Sequence, residues 1–340
     1  MEKAGAGRGF IRSDILLPMK TQLFLGVLLL PLALPAQRLL VANQKDHTLS
    51  VVDPATNKQV AVIDVGAYTG HEVIASPDGK TAIVPIYGSS GVGKPGTDGQ
   101  IIDVIDIASG KIVRTIDLPH GVRPHMPLFD PTGKTLYVST ELDKTVTAFD
   151  PKTYKPIATL PTGQEQSHMF IISHDGKRLY TANVGPGNVS AIDIPTRKIV
   201  ATIPISGTTQ RISISNDDKY VFTSDQTKNQ LAVIDTATNT LKQWIPLAGS
   251  GYGTAPTKDG RFLIVTLRDK NKVAVVDLKS MTVVKTLDMP GSPQEVVVRP
   301  DGKVAYVSCL KQVAVIDTTN WTVPTTIEAG NGADGLAWAR

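Results

Sequence analysis

Val189-Ser190-Ala191-Ile192-Asp193, Leu231-Ala232-Val233-Ile234-Asp235 and Val313-Ala314-Val315-Ile316-Asp317 are three copies of one short strand that ends in aspartate. Four further copies close at Asp53, Asp106, Asp150 and Asp277. The seven aspartates stand 53, 44, 43, 42, 42 and 40 residues apart. A period of this length marks an array in which each unit cannot bury its own faces and must stack on its neighbours.

The unit around Asp193 shows what is repeated. His168–Ser173 is an apolar run, followed by the turn His174-Asp175-Gly176-Lys177, the run Arg178–Asn183, a short loop, the strand ending at Asp193, the turn Ile194–Lys198 and a last run to Ile205. β-branched residues fill the runs, while Asp-Gly, Pro and Asn mark the turns, as in an antiparallel meander. We label the four strands A to D from the centre outward. Seven such units predict an all-β fold, a seven-bladed β-propeller of four-stranded antiparallel blades. Only six A–B turns are visible, around Gly79, Gly133, Gly176, Asp218, Gly260 and Gly302. Arg38–Asn43 already reads as a strand B, and Gly335–Ala339 as a lone strand A. The carboxyl-terminal strand is therefore expected to complete blade one and close the ring, removing exposed sheet edges.

The repeat resembles the YVTN β-propeller family, as found in secreted and periplasmic bacterial proteins. Its tyrosine-valine-threonine-asparagine-like strand is carried here by Leu136–Thr140, Leu179–Asn183 and Ala305–Ser308, and its turn by Ser76-Pro77-Asp78-Gly79-Lys80 and Arg299-Pro300-Asp301-Gly302-Lys303. The resemblance implies the fold over nearly all of 37–340 and no single activity.

The first 36 residues stand apart. Lys20 precedes an apolar run from Leu23 that is broken by Pro31 and Pro35 and reaches Ala36, the pattern of a secretory signal with cleavage near Ala36. Met19 is the expected true start, which makes 1–36 an extension plus leader and 37–340 a single domain. The run is too short for a confident membrane span. Removing 1–36 takes four basic and two acidic residues and lowers the formal net charge of +4 to +2, so no nucleic-acid partner is expected. Cys309 is the only cysteine, which excludes an intrachain disulfide. A secreted or periplasmic monomer is the expectation.

Strand direction places the starts of strand A, the B–C loops and the D–A loops on one face, here called the top. Counting eight residues back from each A–B turn gives His71, His125, His168, Gln210, Tyr252 and Gln294, with Asp334 in blade one. These seven should ring the upper mouth of the central channel. Histidines on three consecutive blades suit zinc or copper, or proton transfer; a polar ring that merely satisfies backbone groups is the alternative. Glu72, Arg211 and Glu295 follow ring positions directly, and His120 and Arg123 lead towards His125. His174, in an A–B turn, belongs to the bottom face and cannot share a metal with His168.

The loop Tyr87–Gln100 is the one long insertion and should rise on the top face beside His71, as a lid, a docking loop or a tolerated insertion. Its Gly88–Lys94 spacing mimics a phosphate-binding loop, but Pro95 replaces the required Ser or Thr and no helix follows. The seven strand-ending aspartates are too dispersed for one calcium ion and are expected to cap turns.

Two functions fit these features. One is a propeller that binds an unknown small molecule or protein at its top face. The other is a metal-assisted or acid–base hydrolase of the lactonase kind, drawing on His71, His125, His168, Arg211, Glu72 and Glu295 by analogy of fold alone. A copper redox site would use the same histidines, without a second cofactor motif to support it.

Overall fold

The computed structural model describes residues 37–340 apart from Ala67 and Ser90, together with Gly9. The expected leader and its cleavage point lie outside the described residues. The strands of the propeller run from Arg38 to Ala339, and all regular structure among the described residues is β-strand.

Blade four is representative: strands Ser167–Ile172, Arg178–Asn183, Asn188–Asp193 and Lys198–Pro204 pair antiparallel in that order. Strands B and C are buried on both faces in every blade because each sheet is sandwiched between two neighbours. This is why their sequences are continuous apolar runs rather than alternating ones. Strand D, at the rim, buries one side chain near its end, such as Ile63, Ile116, Leu160 or Ile203, and exposes most of the rest. A bulge recurs in strand D where the register skips Val60, Val113, Ile157, Val200, Lys242 and Val284. Bulges twist an outer strand away from straight pairing, which blunts the rim against edge-to-edge association.

The strand-ending aspartates cap turns, as the sequence predicts. Asp150 accepts hydrogen bonds from the amides of Lys152 and Thr153 at 2.9 and 2.8 Å, and Asp277 does the same for Lys279 and Ser280. Four residues beyond each aspartate the backbone is left-handed, at Asn57, Gly110, Tyr154, Arg197, Asn239, Met281 and Trp321. Side-chain capping holds that conformation even where the residue is not glycine.

Closure follows the expected route. Thr322–Ala339 is one 18-residue strand that serves as strand D of blade seven and then as strand A of blade one. Val313 faces Ile327 in its first half, and Leu39, Leu40 and Val41 face Trp338, Ala337 and Leu336 in its second. Blades seven and one thus form a single seven-stranded sheet. Blade seams, this one included, are stapled near the channel by strand B hydroxyls. Ser139 Oγ accepts the Met126 amide and donates to the His168 carbonyl of the next blade, while Thr266 and Ser308 repeat the device towards Gln294 and Asp334.

Deleting residues 333–340 strips blade one of its inner strand and leaves Leu39 and Val41 without cover. The melting temperature should fall by roughly 10 °C or more; a calorimetric scan showing no loss would contradict closure by this strand.

Candidate functional site

At the start of strand A the ladder slips. The register skips His168 between Ser167 and Met169, and shifts likewise between Val138 and Thr140 opposite His125. A bulged residue leaves the pairing and re-aims its side chain, which turns the ring positions into the channel. His125, His168, Tyr252, Gln294 and Asp334 are buried there, and His71 and Gln210 partly so.

The ring divides into two clusters. In the first, His125 packs against His168 with ring centroids 3.6 Å apart, and His71 lies 5.3 Å from His125. Tyr87, from the start of the insertion, touches all three imidazoles at centroid distances of 5.0 to 5.9 Å. Glu141 ties the group together: its Oε2 accepts from the Tyr87 hydroxyl at 2.7 Å and from His168 Nδ1 at 3.1 Å. Gln44 reaches the His71 ring at 2.9 Å. Burial lowers the pKa of His71 to about 4, against the opposing pull of Asp334, and holds that of His125 well below the usual histidine value. Both nitrogens of His125 are buried without a hydrogen-bond partner.

The second cluster crosses the channel. Arg211 of blade five pairs with Glu72 of blade two at 2.8 Å, with Asp334 of blade one at 2.7 Å and with Glu295 of blade seven. Its guanidinium lies 4.9 Å from the Tyr252 ring centroid, and Arg268 approaches the same ring at 4.1 Å. Gly335 faces this network because a Cβ there would stand 2.8 Å from Glu72 Oε2. Three carboxylates share one cation. Burial therefore pushes Glu72 up to about 7, although Arg211 pulls the other way. Burial also works against the charge of Arg211, but Glu72 and Asp334 outweigh it and raise its pKa.

All six candidate side chains named from the sequence reach the mouth, in two groups. His71, His125 and His168 meet, with the His125 and His168 rings tilted by 33° at a centroid distance of 3.6 Å. Among the described residues no group of three or more His, Cys, Asp or Glu side chains is arranged to hold a metal ion. His120 stays outside, exposed and paired with Asp143 at 2.8 Å, and His174 pairs with Asp218 on the bottom face.

Glu141 was not legible as a site residue from ring counting. It belongs to a second series, eight residues after the A–B turn glycine, which also contains Tyr87 and Arg268, with Gln44 directly after strand B of blade one; all four contact the first ring. That offset was the available signal. The insertion is latched rather than free: Arg123 donates to Asp98 at 2.6 Å and to the Lys94 carbonyl at 2.9 Å, and its own amide bonds the Gly99 carbonyl at 2.9 Å. The latched loop walls a cleft of about 440 Å³ with Arg123 and Glu141 among its lining residues. Larger grooves of about 650 and 670 Å³ lie on the opposite face, but they are seams between A–B turns of adjacent blades and hold none of the buried charge.

A closed ring of seven four-stranded blades, with a buried ion-pair network and an imidazole cluster at its channel mouth, defines a seven-bladed propeller with one chemically distinct face. The chain belongs to the family described as lactonase, 7-bladed β-propeller, whose model matches residues 67–243. No curated protein matches it in sequence. Among solved structures, Kuenenia stuttgartiensis hydrazine synthase is similar at 22% identity and a TM-score of 0.72, covering 83% of this chain and 92% of that one. A functionally unknown protein from Desulfotomaculum acetoxidans DSM 771 is similar at 18% identity and a TM-score of 0.61, covering 68% and 77%. Dihydro-heme d1 dehydrogenase NirN, solved in complex with DHE, is similar at 15% identity and a TM-score of 0.61, covering 88% and 65%. Likeness at these identities shows the fold alone.

Glu72 and His71 act on stability with opposite signs. The contribution of Glu72, whose folded pKa is raised, is present below the ordinary carboxylate range and is lost as pH rises through about 7. That of His71, whose folded pKa is depressed, is present above the ordinary histidine value and is lost as pH falls through about 4. Glu72→Gln removes only the first, so the melting temperature of the variant relative to wild type should rise between pH 5 and pH 8, by about 5 °C. A difference that stays flat across that range would contradict the assignment.

Proposed function

We propose that this chain is an exported, monomeric propeller whose top face binds a small polar ligand at the mouth of the channel. The observation that carries this reading is Glu141. It is a buried carboxylate that lines the top-face cleft and is bonded through one oxygen to Tyr87 and His168, so the cleft and the imidazole cluster form one connected unit. Fully buried acids are rare unless they are structural pairs or serve a site. Here the pair partner, Arg123 at 3.8 Å, lines the same cleft.

A second reading is favoured by the family match together with the Glu141–His168 contact. A carboxylate accepting from Nδ1 fixes the tautomer in which Nε2 carries the lone pair, the arrangement of a general base. In a lactone hydrolysis, water oxygen would bond to the carbonyl carbon while its proton passes to Nε2. The ring C–O bond would then break, with the proton returned to the leaving alkoxide.

Saturation-transfer NMR with a fragment set of amino acids, hydroxy acids and sugar phosphates separates the readings from their failure. Binders should be found that Glu141→Gln weakens at least tenfold and Lys258→Ala, on the bottom face, leaves unchanged; binding indifferent to Glu141 would contradict a top-face site. For the second reading, proton release from δ-lactones should exceed buffer and drop at least about 100-fold in His168→Asn. Wild-type protein without turnover would refute it while leaving the binding reading intact.

A further inference from the structure

The cleft beside the insertion has a built floor and a charged rim. Its floor is Arg123 and Glu141, both buried, and its rim carries Lys94 and Pro95 from the insertion, Leu142 and Lys144 from the B–C loop of blade three, and Glu165 and Gln166 from the loop before His168. Glu141 Oε1 is buried and has no hydrogen-bond donor; the Arg123 guanidinium lies 3.8 Å from it. That guanidinium is already committed to Asp98 and to the Lys94 carbonyl. One cation is thus shared by two carboxylates, and an unmet carboxylate oxygen in a buried place favours a further cationic donor.

The rim has the opposite need. Lys94 makes no ion pair among the described residues, and Lys144 is held only by an exposed contact to Glu165 at 3.2 Å, worth little in water. Arg123 and Gln166 both take left-handed backbone conformations, with φ of 52° and 53°, where the equivalent position in blade one is Gly332. Non-glycine residues kept in that conformation cost roughly 1 kcal/mol or more each. Gln166 is further confined, because a Cβ on Gly93 or on Gly185 would stand 2.5 or 2.7 Å from its side-chain amide. Two glycines therefore make room for one amide at the cleft wall.

We infer that this cleft binds a small zwitterion, with a primary ammonium on Glu141 Oε1 at the floor and a carboxylate on Lys94, Lys144 and the Gln166 amide at the rim. The volume of about 440 Å³ leaves room for several heavy atoms between the charged ends. The inference rests on the top-face reading and narrows it to one ligand chemistry.

Titration calorimetry of the full chain with glycylglycine tests it, against N-acetylglycylglycine, which lacks the ammonium, and glycylglycinamide, which lacks the carboxylate. Glycylglycine should bind, and each analogue should bind at least tenfold more weakly. Glu141→Gln should abolish the preference for the free ammonium, and a Lys94→Ala/Lys144→Ala variant, altered only at the surface, should abolish the preference for the carboxylate. Equal binding of the acetylated peptide would overturn the inference. No binding of glycylglycine, while a hydroxy acid or sugar phosphate binds in a Glu141-dependent way, would overturn it and leave the top-face reading standing. Failure of every fragment as well would overturn both.

Discussion

One guanidinium holds the upper end of this propeller together. Arg211 starts from blade five and reaches carboxylates on blades two, seven and one, so its ion pairs cross the channel instead of running around it. Buried ion pairs add little net stability when compared with apolar packing, yet breaking one side of them is costly. Their effect here is positional. Asp334 is carried by the strand that closes the ring, and its carbonyl is stapled by Ser308. The geometry of the mouth is therefore conditional on closure.

Burial at the mouth accounts for its chemistry. Imidazoles that would exchange protons freely near neutral pH are held in the uncharged form at His71 and His125, and Glu72 is pushed towards neutrality by burial, with Asp334 adding to it. The Tyr87–Glu141–His168 contacts then connect this dry cluster to the wet cleft behind the insertion. The functional reading places ligand recognition at that boundary, where a buried acid meets a lysine-bearing rim.

The fold was legible because it is written seven times. The strand ending in aspartate, the A–B turns and the lone strand at Gly335–Ala339 each encode a local constraint, and the structure realises all three. The ring of channel positions was equally legible, since a fixed offset from a repeated turn survives the fold unchanged. Contacts across the channel were not: Arg211 and Glu72 are separated by 139 residues, and no period relates them. Glu141 lies at a different offset from the strand A starts, and the glycines of the insertion, which fit a lid, a docking loop or a tolerated insertion alike, say nothing about the Arg123 latch. The stacking of His125 on His168 depends on side-chain geometry, which composition and spacing do not carry.

Histidine-detected nitrogen NMR across a pH titration tests the sealed mouth most directly. The His71 imidazole should stay neutral until about pH 4, and His125 should stay neutral well below the ordinary histidine value. Titration of His71 and His125 at the ordinary histidine value, near 6.5, would mean that water reaches the channel mouth, and would contradict the account.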